Sequence, residues 1–165
     1  MTRYRTPARV LHWATAILVL TTIPAGLIMV RDGAPFGDAL FLYHKNVGVV
    51  ILALVAARLI WRWWHPAPPL HGPLAGIGKL THWAMYAALI VMVISGYVRV
   101  TAGGFPLEIV DIPGLPRMAA DPALAAIAKR IHWAAHYVII ALIALHIAAA
   151  LRHALRRDGI MSRML

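Results

Sequence analysis

Residues 132–146, HWAAHYVIIALIALH, carry no charged side chain yet begin and end on histidine. An imidazole placed in lipid or in a dry core needs a partner, so a helix with two of them poses a chemical question. An α-helix turns about 100° and rises about 1.5 Å per residue. The 14-residue interval from His132 to His146 therefore comes within about 40° of four full turns and covers about 21 Å. Both rings share one helix face at opposite depths, the arrangement that two stacked metal centres require. His136 is the rival for the first position. Its ten-residue interval to His146 leaves it about 80° off the shared face.

Such rings need surrounding helices, and the composition supplies them. Of 165 residues, 61% are hydrophobic and 13% charged, with a mean hydropathy of +0.73. A water-soluble fold of this length exposes too much area to hide that apolar content, so the expected solvent is a bilayer. Four stretches, near 10–30, 40–62, 80–100 and 129–151, reach the about 20 residues that a hydrocarbon core demands. They predict an all-α integral membrane protein, a four-helix up-down bundle forming one domain over 1–165. The first run follows Arg3, Arg5 and Arg9 as a secretory signal would, but its length and the second span close behind favour a true span.

A short turn with Gly and Pro links the spans at 31–39, an aromatic, Pro-rich segment at 61–79, and a longer loop at 101–128. A loop of that length is sized to carry a function or to pack as a cap. Cysteine is absent, which excludes disulfides, iron–sulfur clusters and thiol nucleophiles. The net charge is +10. Because the basic residues edge the apolar runs, they read as topology signals and contacts to membrane lipid, not as a nucleic-acid surface. With the N-terminus inside, ten Lys and Arg fall on the inner side and six on the outer, so both termini are expected inside.

This topology sorts the histidines by depth: His44 and His132 in an outer layer, His12, His82 and His146 in an inner one. Imidazoles facing across a bundle, without cysteine or inward carboxylates, suit bis-histidine haem b better than zinc or di-iron. The 14-residue step recurs, reaching Gly26 from His12, Gly96 from His82 and Arg58 from His44. A glycine on this stripe either lets a flat macrocycle approach the backbone or serves ordinary small-residue packing. Arg58, at inner depth, is placed for a haem propionate or a quinone head group. For His82 three roles stand open: axial ligand, proton-carrying group beside a quinone, or interfacial ring, with the quinone role ahead of ligation. His65, His71 and His153 lie in polar segments and are expected to be solvated. Trp13, Trp83 and Trp133 each follow a histidine and read as an interfacial belt. Met29, Met85 and Met92 read as core filler.

Taken together, the pattern resembles the bacterial cytochrome b561 family, which is similar to the membrane cytochrome b subunits of formate dehydrogenase and nickel–iron hydrogenase. The resemblance rests on HW at 12–13, FLYHKNVGVVILALVAARLIWR with His44 and Arg58, the PAPP that follows, THWAMY at 81–86 and the His132/His146 pair. It covers essentially the whole chain. It implies a bacterial inner-membrane protein with two b-type haems, His12 and His146 ligating the inner iron and His44 and His132 the outer. It also implies a ubiquinone site near the inner haem and, for one branch, oxidation of superoxide at the outer face.

The expected activity is electron transfer from a periplasmic donor through two haems to a quinone. Lys45, Lys129 and Arg130 beside the outer ligands either steer a small anion such as superoxide or simply snorkel at helix ends. A second reading is a subunit that docks to a dehydrogenase through 101–128. The extra helices or extensions usual in such subunits are not seen here, which favours a free-standing cytochrome. A third, a transporter with a histidine proton relay, predicts a colourless protein.

Overall fold

The computed structural model describes residues 3–69, 74–107 and 118–165. Its architecture is all-α, with helices α1 (Thr6–Ile28), α2 (Gly37–Trp64), α3 (Ala75–Ala102) and α4 (Pro122–Arg156). Each is long and apolar enough to cross a membrane. A single 3-10 turn follows at Met161–Arg163.

Most helix ends run beyond the apolar stretches that mark the spans, because stop and start signals sit in the head-group region. Proline opens both α1 and α4, at Pro7 and Pro122, where its missing N–H costs nothing. Asp121 caps α4, its side chain accepting from the Leu124 N–H at 3.0 Å, which satisfies one of the free first-turn donors. This Asp–Pro start corrects the expected 101–128 loop: residues 122–128 are helical, and the link runs from 103 to 121. Its residues 108–117, with Glu108, Asp111 and Arg117, lie outside the described residues, as does His71.

Close backbone packing joins α1 to α2, α2 to α3 and α3 to α4. Among the described residues, no Cα of α4 lies within 8 Å of one in α1 or α2. Helix α4 thus leans on α3 and stands off from the other two. Both chain ends meet at one end of the bundle, where the Tyr4 N–H donates to the Arg163 carbonyl at 3.0 Å. We call this the terminal end and the opposite one the loop end.

The middle of the bundle is apolar and close-packed. Val19, Ile51, Val55, Tyr86, Leu89 and Ile139 form its core, and Val55 and Ile139 are each only 1% exposed. Ile139 lies seven residues, about two turns, from both His132 and His146, so it fills the depth between the two histidine layers. Ile17, Leu20 and Val138 remain largely exposed, as lipid-facing side chains must. At the loop end the α3–α4 link folds back onto the helices: Lys45 Nζ donates to the Pro106 carbonyl at 2.7 Å, and Phe41 meets Phe105 edge-on at 5.4 Å.

Candidate functional site

At the loop end α2 and α4 bring His44 and His132 together, with ring centroids 6.0 Å apart and planes 76° apart. The His44 Nδ1–H donates to the Thr22 carbonyl of α1 at 2.9 Å. The His132 Nδ1–H donates to the Met92 carbonyl of α3 at 2.8 Å. A carbonyl only accepts, so each ring carries its hydrogen on Nδ1 and keeps a lone pair on Nε2. That tautomer is the one a metal ligand needs when an outer partner orients it.

Both carbonyls lie one turn before a glycine, and the glycine is what admits the ring. A Cβ built on Gly26 would stand 2.6 Å from His44 Cε1, and one on Gly96 would stand 3.0 Å from His132 Cε1. The expected role of these glycines therefore shifts: the group that approaches their backbone is an imidazole. Neither Thr22 nor Met92 was singled out for its carbonyl by sequence reasoning. The available signal was a glycine four residues on, on the stripe at 14-residue spacing.

At the terminal end His12 of α1 and His146 of α4 stand 6.2 Å apart between centroids, their planes at 73°. His82 of α3 is a second neighbour of His146, at 5.7 Å. Arg58 of α2 completes this layer, its Nη2 donating to His12 Nδ1 at 3.2 Å. A guanidinium only donates, so His12 carries its hydrogen on Nε2, opposite to the loop-end pair. Arg58 also lies over the Tyr86 ring at 5.3 Å, and Arg62 over Trp83 at 5.4 Å.

Every residue assigned to the two layers is thus found there. His136 is buried against Trp133 and Tyr137, while the ring facing His44 is His132. Two histidines expected to be solvated have partners instead. His65 stacks on Trp61 at 4.0 Å, and His153 Nδ1 meets Asp158 Oδ2 at 2.6 Å. Lys45 is buried with its ammonium tied to Pro106, which corrects its reading as a steering charge. Lys129 and Arg130 are exposed.

Two imidazoles on opposite sides of one metal, each bonded at about 2.0–2.1 Å, have centroids about 6.3 Å apart. The separations of 6.0 Å and 6.2 Å fit that figure. Among the described residues no three His or carboxylate groups converge as a metal site. Two paired imidazoles would suit a metal whose remaining donors come from a macrocycle. The separation of α4 from α1 and α2, which both pairs span, suits a flat group between them. Thr22 Oγ1, beside the His44 anchor, is buried without a partner, a polar atom that a bound group would satisfy.

A family model described as prokaryotic cytochrome b561 matches residues 3–165. Cytochrome b561 homolog 2 of Escherichia coli (strain K12) is 31% identical over 176 aligned residues, which cover 99% of this chain and 91% of the relative. The chain belongs to the prokaryotic cytochrome b561 family, of multi-pass membrane proteins that bind haem b and transfer electrons.

Proposed function

We propose that this chain holds two haems b and moves single electrons from a donor at the loop end to a quinone at the terminal end. His44 and His132 ligate the iron at the loop end, and His12 and His146 the iron at the terminal end. The observation that carries this reading is the pair of imidazole couples, 6.0 and 6.2 Å between centroids, across helices whose backbones stay apart. When bound, the haems supply the one-electron iron couples.

The chain's own groups set the conditions. Donation from Nδ1 to a carbonyl raises the basicity of His44 and His132 and fixes their orientation. Val55 and Ile139 keep water from the depth between the two layers. Were His12 to hold the iron through Nε2, its hydrogen would sit on Nδ1, and Arg58 would turn from His12 to an anionic or carbonyl acceptor. A haem propionate or a quinone oxygen meets that need. His82, adjoining His146, is the proton-carrying group beside the quinone.

The donor that suits the loop end is a small anion, and superoxide is the candidate. Exposed Lys129 and Arg130, about two turns into α4, supply an attractive field there. Two superoxide ions oxidised to dioxygen release two electrons, which with two protons turn one ubiquinone into ubiquinol. The ten-to-six basic bias supports a cytoplasmic terminal end and an outer loop end.

Stopped-flow absorption of the purified protein tests this. Superoxide is expected to reduce the protein's visible bands and added ubiquinone to reoxidise them, with a pyridine haemochrome of two haems per chain. Bands that stay oxidised under superoxide overturn the donor, and one haem per chain overturns the ligand pairing.

A further inference from the structure

At the terminal end a cleft of about 210 Å³ lies between residues 3–8 and the end of α2. None of the groups proposed for electron transfer lines it. Arg3 and Arg5 form one wall, and Trp61, Trp64 and His65 another. We propose that this cleft binds the phosphate of an anionic phospholipid head group. The inference is independent of the haem assignment.

Charge comes first. Neither Arg3 nor Arg5 has an ion pair among the described residues, where the one acid at this end, Asp158, is committed to His153. The surroundings are short of acceptors as well as of negative charge. Three buried side-chain polar atoms lack a hydrogen-bond partner among the described residues, and two of them are guanidinium nitrogens at this end, Arg9 Nε and Arg163 Nε. Arg9 follows the lining residue Ala8. Arg163 is 8% exposed and lies 6.0 Å from the ring of the lining Tyr4. Neither residue lines the cleft itself, but both add unbalanced positive charge beside it, which favours an anion there. The start of α1 adds to this, since its cap residue, Arg5, makes no side-chain capping hydrogen bond and a helix N-terminus favours negative charge.

The walls are held before any ligand arrives. The Tyr4 N–H is bonded to the Arg163 carbonyl, and both terminal nitrogens of Arg163 donate to the Pro69 carbonyl at 3.2 Å. The His65 ring lies flat on Trp61, 15° from parallel, and its Nδ1–H donates to the Trp61 carbonyl at 3.3 Å, which fixes that wall. Depth then identifies the source of the phosphate. Trp63 and Trp64, 85% and 70% exposed, end an apolar spanning helix and mark the head-group zone. A basic pocket at that level faces lipid phosphates before it faces solutes.

The test is native mass spectrometry of the full-length holoprotein, with phosphatidylglycerol, phosphatidylcholine or inorganic phosphate added. Wild type is expected to retain phosphatidylglycerol at least tenfold better than phosphatidylcholine. The double variant Arg3→Gln/Arg5→Gln should lose that preference with its haem spectrum unchanged. Lys79→Gln, an exposed basic change at the same end outside the cleft, should keep it. Equal retention by wild type and the double variant overturns the proposal, as does an equal loss in Lys79→Gln. Displacement of the lipid by millimolar inorganic phosphate would keep the phosphate site and overturn the lipid as its source.

Discussion

Four helices each contribute one position to a cross-section at either end of the bundle, and the two sections are filled differently. The loop-end section holds Gly26, His44, Gly96 and His132; the terminal-end section holds His12, Arg58, His82 and His146. Where the non-ligand positions are glycine, backbone carbonyls come within reach of the rings and fix them at 2.8–2.9 Å. Where they are Arg58 and His82, the rings meet a guanidinium and a third imidazole. One register therefore builds a section whose rings are anchored mainly on backbone carbonyls, with the Ser95 hydroxyl 3.3 Å from His132 Nδ1, and a section whose rings meet Arg58 and His82. That division suits an electron port at one end and proton-coupled chemistry at the other.

The strongest way to break the comparison is to remove one ring at a time. His132→Ala or His44→Ala should cut haem per chain by about half and erase one low-spin signal, leaving the other. His12→Ala or His146→Ala should erase the complementary signal. Haemochrome assay and electron paramagnetic resonance read both outcomes. If His132→Ala and His146→Ala erase the same signal, the two layers are not separate centres.

Next in size is His82→Gln. Loss of a positioned proton donor typically costs about a hundredfold or more in rate, so ubiquinone-driven reoxidation should slow by that order while both signals persist. Loss of the terminal-end signal instead would make His82, not His12, the partner of His146.

The glycine substitutions sharpen the contrast without touching a ligand. Gly26→Ala puts a methyl 2.6 Å from the His44 ring, and Gly96→Ala one 3.0 Å from His132. Loss of the outer partner of a ligating histidine typically weakens metal binding about 10–100-fold. Both variants should weaken retention of the loop-end haem by that order, Gly26→Ala the more, and spare the terminal-end haem. A redox titration showing equal shifts at both centres would erase the distinction drawn here.

The spans, their order and the two depths are legible in the residues, because a 14-residue step and four apolar runs are properties of the chain in one dimension. Gly26, Gly96 and Arg58 were reachable by the same step. Their roles were not, since a stripe position does not say whether a macrocycle, an imidazole or another helix will lie against it. Thr22 and Met92 act through main-chain atoms, to which side-chain type gives no clue. The partner of His153 was hidden for another reason: Asp158 follows the helix end, and only the left-handed turn at Arg157, with φ of 50°, swings it back. Lys45, beside an outer ligand, read as a steering or snorkelling cation, whereas the returning link buries it.

The smallest expected effect concerns how each end is covered. At the loop end Lys45 holds a carbonyl. At the terminal end the tail is turned by His153 against Asp158, whose second oxygen accepts from the Ile160 N–H at 3.1 Å. The hydrogen bond from His153 holds the Asp158 carboxyl below its ordinary value. A carboxyl lowered in the folded state contributes stability above its unfolded value, about 3.9, and loses it as pH falls through the lowered folded value. The carboxyl lies at the surface, so the contribution is small and local. Trp13 reports it, because its Nε1–H donates to the Met164 carbonyl at 3.0 Å. Tail protection in hydrogen exchange and Trp13 fluorescence should therefore change on acidification below about pH 4, while loop-end amides stay protected. Asp158→Asn should show the same change already at neutral pH. An unaltered tail in that variant would mean that the Arg163 and Met164 contacts hold the terminal end without the ion pair, making both covers insensitive to acid.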